Sequence, residues 1–412
     1  MKNLRESEKL FSRLYLPVLL ALLAFGSAWA QNPGTGWYGH VGAEIDSLLE
    51  SSMFETSQVG MCIYDLTADS LIYSHDDRQT MRPASTQKLI TAITALDVMG
   101  DRHKFETFVG YTGDINERTL DGDLYIKGGF DPLLSDSDVS YIARSIKEHG
   151  IDTIRGSILF DRSFKDNSEM GEGWCWDDDN PSLLPITVNG KNLFYECLSE
   201  ALIKNGVSAD ARTGFSICPD TAVMVVKTSH SLFDVLHKMM KESDNFHAEA
   251  VFYSIASTRN SRWASAKDAV SVIDSLIAVT GHRRSEYRIA DGSGLSLYNY
   301  TTARIETDLL RYAYSKKDIF EILYLTLPVA GKDGTLKARM RDNKFAMGNV
   351  RAKTGSVSCV SSLAGFCRAH NGHDIAFTII NQGVIRTRKA RDFQDKVCAI
   401  LCAPVTDDNV TK

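Results

Sequence analysis

A serine and a lysine three positions apart give this sequence a candidate nucleophile and a candidate base. Ser85 and Lys88 lie in the segment Pro83-Ala84-Ser85-Thr86-Gln87-Lys88, which runs into an apolar stretch. Residues three apart on a helix lie side by side, so the hydroxyl and the amine come within hydrogen-bonding reach. Burial disfavours the charged lysine and lowers its pKa, and the neutral amine can then take the proton of the serine hydroxyl. The spacing alone is common, so its weight depends on the rest of the chain.

Two short motifs further along the chain strengthen this interpretation. They are Ser243-Asp244-Asn245, inside a predicted helix, and Lys353-Thr354-Gly355, on a predicted strand. Each motif alone is more typical of a turn, a helix cap or the end of an exposed strand. Together with Ser85 and Lys88, and in this order, they match the signature of enzymes that form an acyl ester on a serine.

The catalytic part of such a site needs a nucleophile, a base, and a group that passes a proton to the leaving amine. Ser85 and Lys88 have the first two roles in this interpretation. Ser243 carries the hydroxyl of the second motif, and we expect it to relay the proton.

The substrate-binding part needs partners for an amide, for a carboxylate and for the developing oxyanion. We expect Asn245 to hold the substrate amide, and the Lys353-Thr354 pair to hold a terminal carboxylate through charge-assisted hydrogen bonds. Gly355 lets a substrate backbone approach closely. The backbone N–H groups of Ser85 and Ser356 are expected to form the oxyanion hole.

With these motifs the chain resembles the D-alanyl-D-alanine carboxypeptidase/endopeptidase family, the class C low-molecular-mass penicillin-binding proteins. The resemblance implies a mixed α/β (α+β) fold of the penicillin-binding-protein/β-lactamase-like transpeptidase type, with an antiparallel sheet flanked by helices and a helical subdomain. Further family-like stretches extend the likeness over nearly all of the mature chain: Gly122–Pro132, Gly173-Trp174-Cys175-Trp176, Asp291-Gly292-Ser293-Gly294-Leu295-Ser296 and Leu327–Leu336.

The resemblance also implies an activity. A serine DD-peptidase of this family would hydrolyse the D-Ala-D-Ala terminus of peptidoglycan, its D-Ala-meso-diaminopimelate cross-links, or both. Its partners would be muropeptides as substrates and β-lactam antibiotics as covalent inhibitors, with no cofactor and no metal. The resemblance adds Asp161, which directly follows a predicted strand, to the candidate substrate-binding residues.

The chain departs from the family pattern in two places. The interval between Ser85 and Ser243 is shorter than in family members that carry larger inserted domains. This predicts a small inserted subdomain within about residues 105–230, trimmed near residues 189–195. Leu297 stands where family members often have an arginine, so the third peptide residue that the site recognises stays open.

The elements that must position these residues follow from apolar periodicity and turn signals. We predict a helix at Ser85 whose single buried face is formed by Leu89, Ile93 and Leu96, and one continuous helix over Leu232–Tyr253. Runs typical of strands and a final helix cover the remaining key segments: a hairpin at 59–66 and 70–74, strands at 350–358, 361–369 and 373–380, and a helix at 384–402.

The N-terminus predicts export to the periplasm. Basic residues precede an apolar run at 16–25, and Ser27-Ala28-Trp29-Ala30 offers a cleavage site, so residues 1–30 are predicted to be a signal peptide and 31–412 the peptidase domain. The run is far shorter than the roughly 20 apolar residues of a membrane span. Peripheral membrane association and the oligomeric state stay open.

Charge and cysteine usage exclude other classes of protein. A net charge of -6, without a basic run interleaved with aromatic residues, argues against a nucleic-acid partner. The cysteines show no zinc-ligand spacing. An oxidising compartment would permit disulfides among them, but the sequence does not choose a pairing. They are Cys62, Cys175, Cys197, Cys218, Cys359, Cys367, Cys398 and Cys402.

Two alternatives differ from a DD-peptidase in chemistry. A serine β-lactamase shares the three motifs, but it is typically smaller and has a glutamate-bearing loop that activates the deacylating water, for which this sequence shows no clear equivalent. A penicillin-binding sensor would keep the fold without turnover. Steady release of D-alanine distinguishes an enzyme from such a binder.

Overall fold

The computed structural model describes residues 36–177, 182–209 and 212–405, so the predicted signal peptide at 1–30 lies outside the described residues. The strands, in chain order, are β1 (Gln58–Asp65), β2 (Ser70–His75), β3 (Lys104–Tyr111), β4 (Asp114–Asn116), β5 (Thr119–Asp121), β6 (Leu124–Gly128), β7 (Thr153–Ile154), β8 (Ser157–Asp161), β9 (Arg212–Phe215), β10 (Val223–Ser231), β11 (Arg351–Val357), β12 (Val360–Arg368) and β13 (Asp374–Gln382). The α-helices within these ranges are α1 (Trp37–Leu49), α2 (Gln87–Met99), α3 (Asp136–Glu148), α4 (Phe194–Lys204), α5 (Leu232–Lys241), α6 (Asn245–Ser257), α7 (Ala266–Val279), α8 (Ala303–Ser315), α9 (Lys317–Thr326) and α10 (Thr387–Cys402).

The first sheet joins strands from both ends of the described chain. Its order is β11-β12-β13-β1-β2, and all neighbouring strands are antiparallel. Side chains alternate between the two faces of a strand. In β13, Ile375 and Phe377 accordingly pack with α1 and α10, whereas Ala376 packs with the central helices. The predicted hairpin and the three predicted C-terminal strands are confirmed.

Two helices in the middle of the molecule are buried on all sides. In α2 every residue from Gln87 to Leu96 is buried, and in α6 every residue from Phe246 to Ala256. They pack against each other within a layer that also contains α5, α7, α8 and α9. A single buried face at Leu89, Ile93 and Leu96 is therefore too narrow a prediction for α2. No helix in the described ranges is long and apolar enough to cross a membrane.

Residues 104–231 form a second sheet with a core of its own. The strand order is β10-β3-β6-β8-β9, antiparallel from β10 to β6 and parallel from β6 to β9. Helices α3 and α4 pack with these strands, and β4, β5 and β7 form a small additional sheet. These elements fall in the range for which the sequence predicts an inserted subdomain.

The chain between α5 and α6 is not a continuous helix. Ser243 has a φ of 62°, in the left-handed region that a helix does not accommodate. Asp244 then caps α6, because its Oδ1 accepts a hydrogen bond from the backbone N–H of His247 at 2.9 Å. The prediction of one helix over Leu232–Tyr253 is wrong here, and the break separates Ser243 from the helix that carries Asn245.

Candidate active site

Ser85 lies in a tight turn at the start of α2. The turn is one 3-10 segment, Ala84–Thr86, directly before the helix. Ala84 has a φ of 51°, which residues other than glycine rarely adopt. Its carbonyl lies so close to Gly294 that a Cβ on Gly294 would overlap it. Close packing by a neighbouring loop therefore holds this turn in its left-handed conformation.

The amine of Lys88 is fully buried among three oxygen atoms. Its Nζ is 3.0 Å from Ser85 Oγ, 2.7 Å from Asn245 Oδ1 and 2.7 Å from the backbone oxygen of Ser293. The amide oxygen and the carbonyl can only accept hydrogen bonds, so each takes one N–H of the lysine. In the neutral amine the lone pair then faces the Ser85 hydroxyl, which is the geometry that a base requires.

The protonation of Lys88 depends on burial and on three carboxylates. Burial lowers the pKa of Lys88 to about 8, because the ammonium loses its hydration. The negative charges of Asp291, Glu249 and Asp244 oppose this effect. The lowered pKa increases the share of neutral lysine near neutral pH, and this neutral form can accept the proton of Ser85.

Lys353 is a second fully buried lysine, and it contacts the second motif. Its Nζ donates to Ser243 Oγ at 2.8 Å and to the carbonyl of Thr354 at 2.7 Å. Burial and the charge of Lys88 hold the pKa of Lys353 well below its usual range. A carboxylate bound here would stabilise the ammonium form. Because Ser243 accepts this hydrogen bond, its own O–H can donate to another group.

The backbone of strand β11 lies in contact with the backbone of the turn that carries Ser85. A Cβ on Gly355 would lie 2.7 Å from the carbonyl of Pro83 and 3.0 Å from the backbone nitrogen of Ser85. It would also overlap Ser362 Oγ, which donates to that same Pro83 carbonyl at 2.5 Å. Gly355 is needed here because no side chain fits between the two segments.

The residues on either side of Gly355 are held by groups outside the three motifs. Thr354 Oγ1 donates to Thr335 Oγ1 at 2.7 Å. Ser356 is exposed, and its Oγ accepts a hydrogen bond from Arg391 at 3.2 Å. Strand β11 is the edge strand of the first sheet, and the backbone N–H of Ala352 at its start donates to the carbonyl of Pro328 at 3.1 Å. Beyond Ala352 the outer backbone groups of this strand can pair with an extended peptide.

The structure does not bring Asp161 into this cluster. Asp161 is buried at the end of β8 in the second sheet. Its Oδ1 accepts from the backbone N–H of Ser163 at 2.8 Å, and its Oδ2 from that of Cys218 at 2.9 Å. The carboxylate of Asp161 therefore stabilises the loop after β8, and the substrate-binding role that the resemblance implies for this residue stays a prediction.

Ser293 was not predicted to be a site residue, although its carbonyl accepts a hydrogen bond from Lys88. Ser293 lies between Gly292 and Gly294. A Cβ on Gly292 would lie 2.8 Å from the carbonyl of Ala248 in α6, and Gly294 has a φ of 82°. The glycines on both sides of Ser293 could have indicated this position from sequence, because glycine lets a loop approach other backbone closely. Within the described ranges, no cluster of three His, Cys, Asp or Glu residues is arranged to hold a metal ion.

A groove of about 700 Å³ lies beside Asn245, between the second-sheet part of the chain and the central helices. Two lysines, Lys191 and Lys238, lie on its walls. The other lining residues are Pro132, Leu133, Ser182, Asn189, Gly190, Asn192, Asp244, Phe246 and His247.

The family model described as the D-Ala-D-Ala carboxypeptidase 3 (S13) family matches residues 41–189 and 180–403. The chain belongs to this family. It is thus a serine peptidase, and the family that the motifs indicated is confirmed.

The chain is 28% identical over 438 residues to the D-alanyl-D-alanine carboxypeptidase of Actinomadura sp. (strain R39), with 82% of this chain and 80% of that protein covered. It is 26% identical over 413 residues to the D-alanyl-D-alanine carboxypeptidase DacB of Haemophilus influenzae, with 80% and 86% covered.

Solved structures show the same fold. Penicillin-binding protein 4 (dacB) from Haemophilus influenzae matches with a TM-score of 0.79 at 23% identity, over 86% of this chain and 97% of that one. That protein has also been solved in complex with a β-lactam, matching with a TM-score of 0.75 at 23% identity over 88% and 100% of the two chains. Bd3459, a predatory peptidoglycan endopeptidase from Bdellovibrio bacteriovorus, matches with a TM-score of 0.56 at 17% identity, over 85% and 94%. The predicted fold class is confirmed.

Proposed function

We propose that this S13 family member is a serine DD-peptidase that acts on peptidoglycan through an acyl-enzyme on Ser85. Its substrates are the D-Ala-D-Ala terminus, the D-Ala-meso-diaminopimelate cross-link, or both. The observation that carries the proposal is the buried contact of Lys88 with Ser85, in a chain whose relatives are D-alanyl-D-alanine carboxypeptidases.

Acylation begins with a proton transfer. Neutral Lys88 takes the hydroxyl proton of Ser85, and Oγ attacks the carbonyl carbon of the penultimate D-alanine. The backbone N–H groups of Ser85 and Ser356 stabilise the negative oxygen of the tetrahedral intermediate. Asn245 holds the amide of the acyl group.

Collapse of this intermediate breaks the peptide bond. Ser243 donates its hydroxyl proton to the leaving amine and regains one through Lys88, while Lys353 and Thr354 hold the carboxylate next to that amine. Water then attacks the acyl ester, which releases the shortened peptide and restores the Ser85 hydroxyl. The groove beside Asn245 offers room for further residues of a stem peptide.

We further propose that the protein works outside the cytoplasm, in the periplasm. Its substrate class lies there, and the sequence predicts a signal peptide at residues 1–30. Fractionation of cells that produce the full chain would test this, because a signal-less variant starting at Gln31 should stay in the cytoplasm.

Two measurements test the activity. Penicillin should add one covalent adduct that maps to Ser85 and is lost in Ser85→Ala. Mass spectrometry after incubation with purified muropeptides should show release of D-alanine from monomers, conversion of cross-linked dimers to monomers, or both. A sensor would give the adduct without products, and a β-lactamase would release hydrolysed penicillin rapidly while leaving muropeptides intact.

A further inference from the structure

Glu249 is a fully buried carboxylate on the helix that begins with Asn245. The two residues are four apart, so their side chains leave α6 on the same face. Glu249 Oε1 accepts from the backbone N–H groups of Gly292 at 3.1 Å and Ser293 at 2.9 Å, and Oε2 lies 3.3 Å from the first of these nitrogens. Glu249 takes part in none of the proton transfers proposed for acylation and hydrolysis.

Ser293 connects Glu249 to the base. Its backbone N–H is bound by Glu249, and its carbonyl accepts the hydrogen bond from Lys88. The same loop is fixed from the other side, because Thr91 Oγ1 in α2 donates to the carbonyl of Gly292 at 2.7 Å. Any shift of the Glu249 carboxylate therefore moves an acceptor that orients the amine of Lys88.

Charge also links Glu249 to Lys88. Burial first, and then the charge of Asp291, raise the pKa of Glu249 to about 8, whereas its hydrogen bonds with Ser293 and Gly292, and then the charge of Lys88, lower it. Asp244 at the start of α6 also raises the pKa of Lys88. The pair in turn acts on two further lysines, because the charge of Lys88 lowers the pKa of Lys353 on β11 and the charge of Glu249 raises that of Lys165 after β8.

We propose that Glu249 is a positioning residue for the base, which fixes the Ser293 carbonyl on Lys88 and, when ionised, favours the protonated lysine. The two side chains then titrate as a coupled pair instead of independently. This inference rests on the proposed role of Lys88 as the base for Ser85.

The test compares two buried acids. Glu249→Gln keeps an oxygen for the Ser293 N–H but removes the charge. Glu306→Gln is the matched control, since Glu306 is also fully buried but bonds to Thr86. The rate of Ser85 acylation by penicillin is measured against pH. Glu249→Gln should move the rising limb to lower pH by roughly one unit, and Glu306→Gln should leave its position unchanged. If folded Glu249→Gln shows the same rising limb of the pH–rate profile as the unaltered enzyme, the proposal is overturned.

A second measurement uses the unaltered enzyme. Nuclear magnetic resonance of protein labelled with 13C at the lysine ε-carbon follows Lys88, with Lys88→Ala identifying its signal. A coupled pair gives a titration in two steps, and a single step contradicts the proposal even if Glu249→Gln does not fold. An enzyme whose Ser85 is never acylated would instead refute the proposed function, so the two failures are distinguishable.

Discussion

Two buried lysines of the same active site face different partners, and this difference separates their roles. Lys88 is surrounded by acceptors and touches the nucleophile, so its neutral form can act as a base. Lys353 touches the Ser243 hydroxyl and a backbone carbonyl, and a substrate carboxylate would supply the negative charge that these neutral groups lack. Each lysine disfavours the charge of the other, so a bound carboxylate should affect both.

The pH dependence of acylation should follow the titration of Lys88. Only the neutral amine accepts a proton, so the rate of Ser85 acylation by penicillin should rise with pH and level off above about 8, the pKa set by burial.

Lys88→Ala should lose roughly 10²- to 10⁴-fold in the rate of acylation. Lys227→Ala is the control, because Lys227 pairs with Glu106 at the surface. Near-normal acylation in folded Lys88→Ala would rule out the base assignment.

The loss of activity caused by replacing Lys353 should depend on the substrate. Lys353→Ala removes a charge-assisted hydrogen bond worth roughly 1.5 to 3 kcal/mol, or about ten- to a hundredfold in kcat/KM on a peptide ending in D-Ala-D-Ala. The same peptide as its C-terminal amide should already be poor and should lose little more. Kinetics on both peptides check this, and equal losses would show that Lys353 acts through the electrostatics of Ser85 and Lys88.

The buried acid Glu306 bears on stability. Burial raises the pKa of Glu306 to about 8, from about 4.3 in an unfolded chain. Between these values the folded protein binds more protons than the unfolded chain, so this residue's contribution to stability falls as pH rises. The Tm of Glu306→Gln relative to the unaltered protein should therefore increase from pH 5 to pH 8. An unchanged difference across this range would show that Glu306 is ionised throughout.

At the scale of elements, strands were easier to predict than the break between helices. The runs that became β11, β12 and β13 are bounded by tight turns, and their predicted limits differ from the observed ones by at most two residues. The apolar periodicity of α5 continues into α6, so it did not reveal the break at Ser243. That break depends on a left-handed backbone and on the capping carboxylate of Asp244.

The candidate site was predictable where side-chain type carries the chemistry. Short motifs indicated all five residues. The structure joins Ser85, Lys88 and Asn245 by hydrogen bonds, and separately joins Lys353 to Ser243. Backbone groups gave no such signal. The carbonyl that holds Lys88 belongs to a distant loop, and any residue type presents a carbonyl. The buried acid beneath that loop was missed for the same reason, because its partners are backbone N–H groups.

The close approach of β11 to the nucleophile should make Gly355 sensitive to substitution. Gly355→Ala places a methyl group against the Pro83 carbonyl and the Ser85 nitrogen, so the strand or the turn must move. We expect acylation to fall at least tenfold and stability to fall by roughly 1 to 3 kcal/mol. Gly214→Ala, on β9, is the control, since its Cβ would come no closer than 3.4 Å to a neighbouring atom. Penicillin labelling and thermal unfolding measure both effects, and a fully active Gly355→Ala would contradict this packing.

At the scale of the molecule, the part that spans residues 104–231 has its own core, whereas the catalytic site does not belong to one continuous segment. Lys353 contacts Ser243, which lies 110 positions before it in the sequence, and Ser85 precedes the second sheet. The first sheet makes this possible because β13 pairs directly with β1.

This pairing has a consequence for biosynthesis. A chain that has been synthesised through α6 already contains Ser85, Lys88 and Asn245. It still lacks β11, the strand that borders the nucleophile, and it lacks β13, the strand that joins β11 and β12 to β1. The nascent protein therefore cannot assemble its catalytic sheet until Gln382 has left the ribosome, so hydrolytic activity cannot begin before β13 has been synthesised.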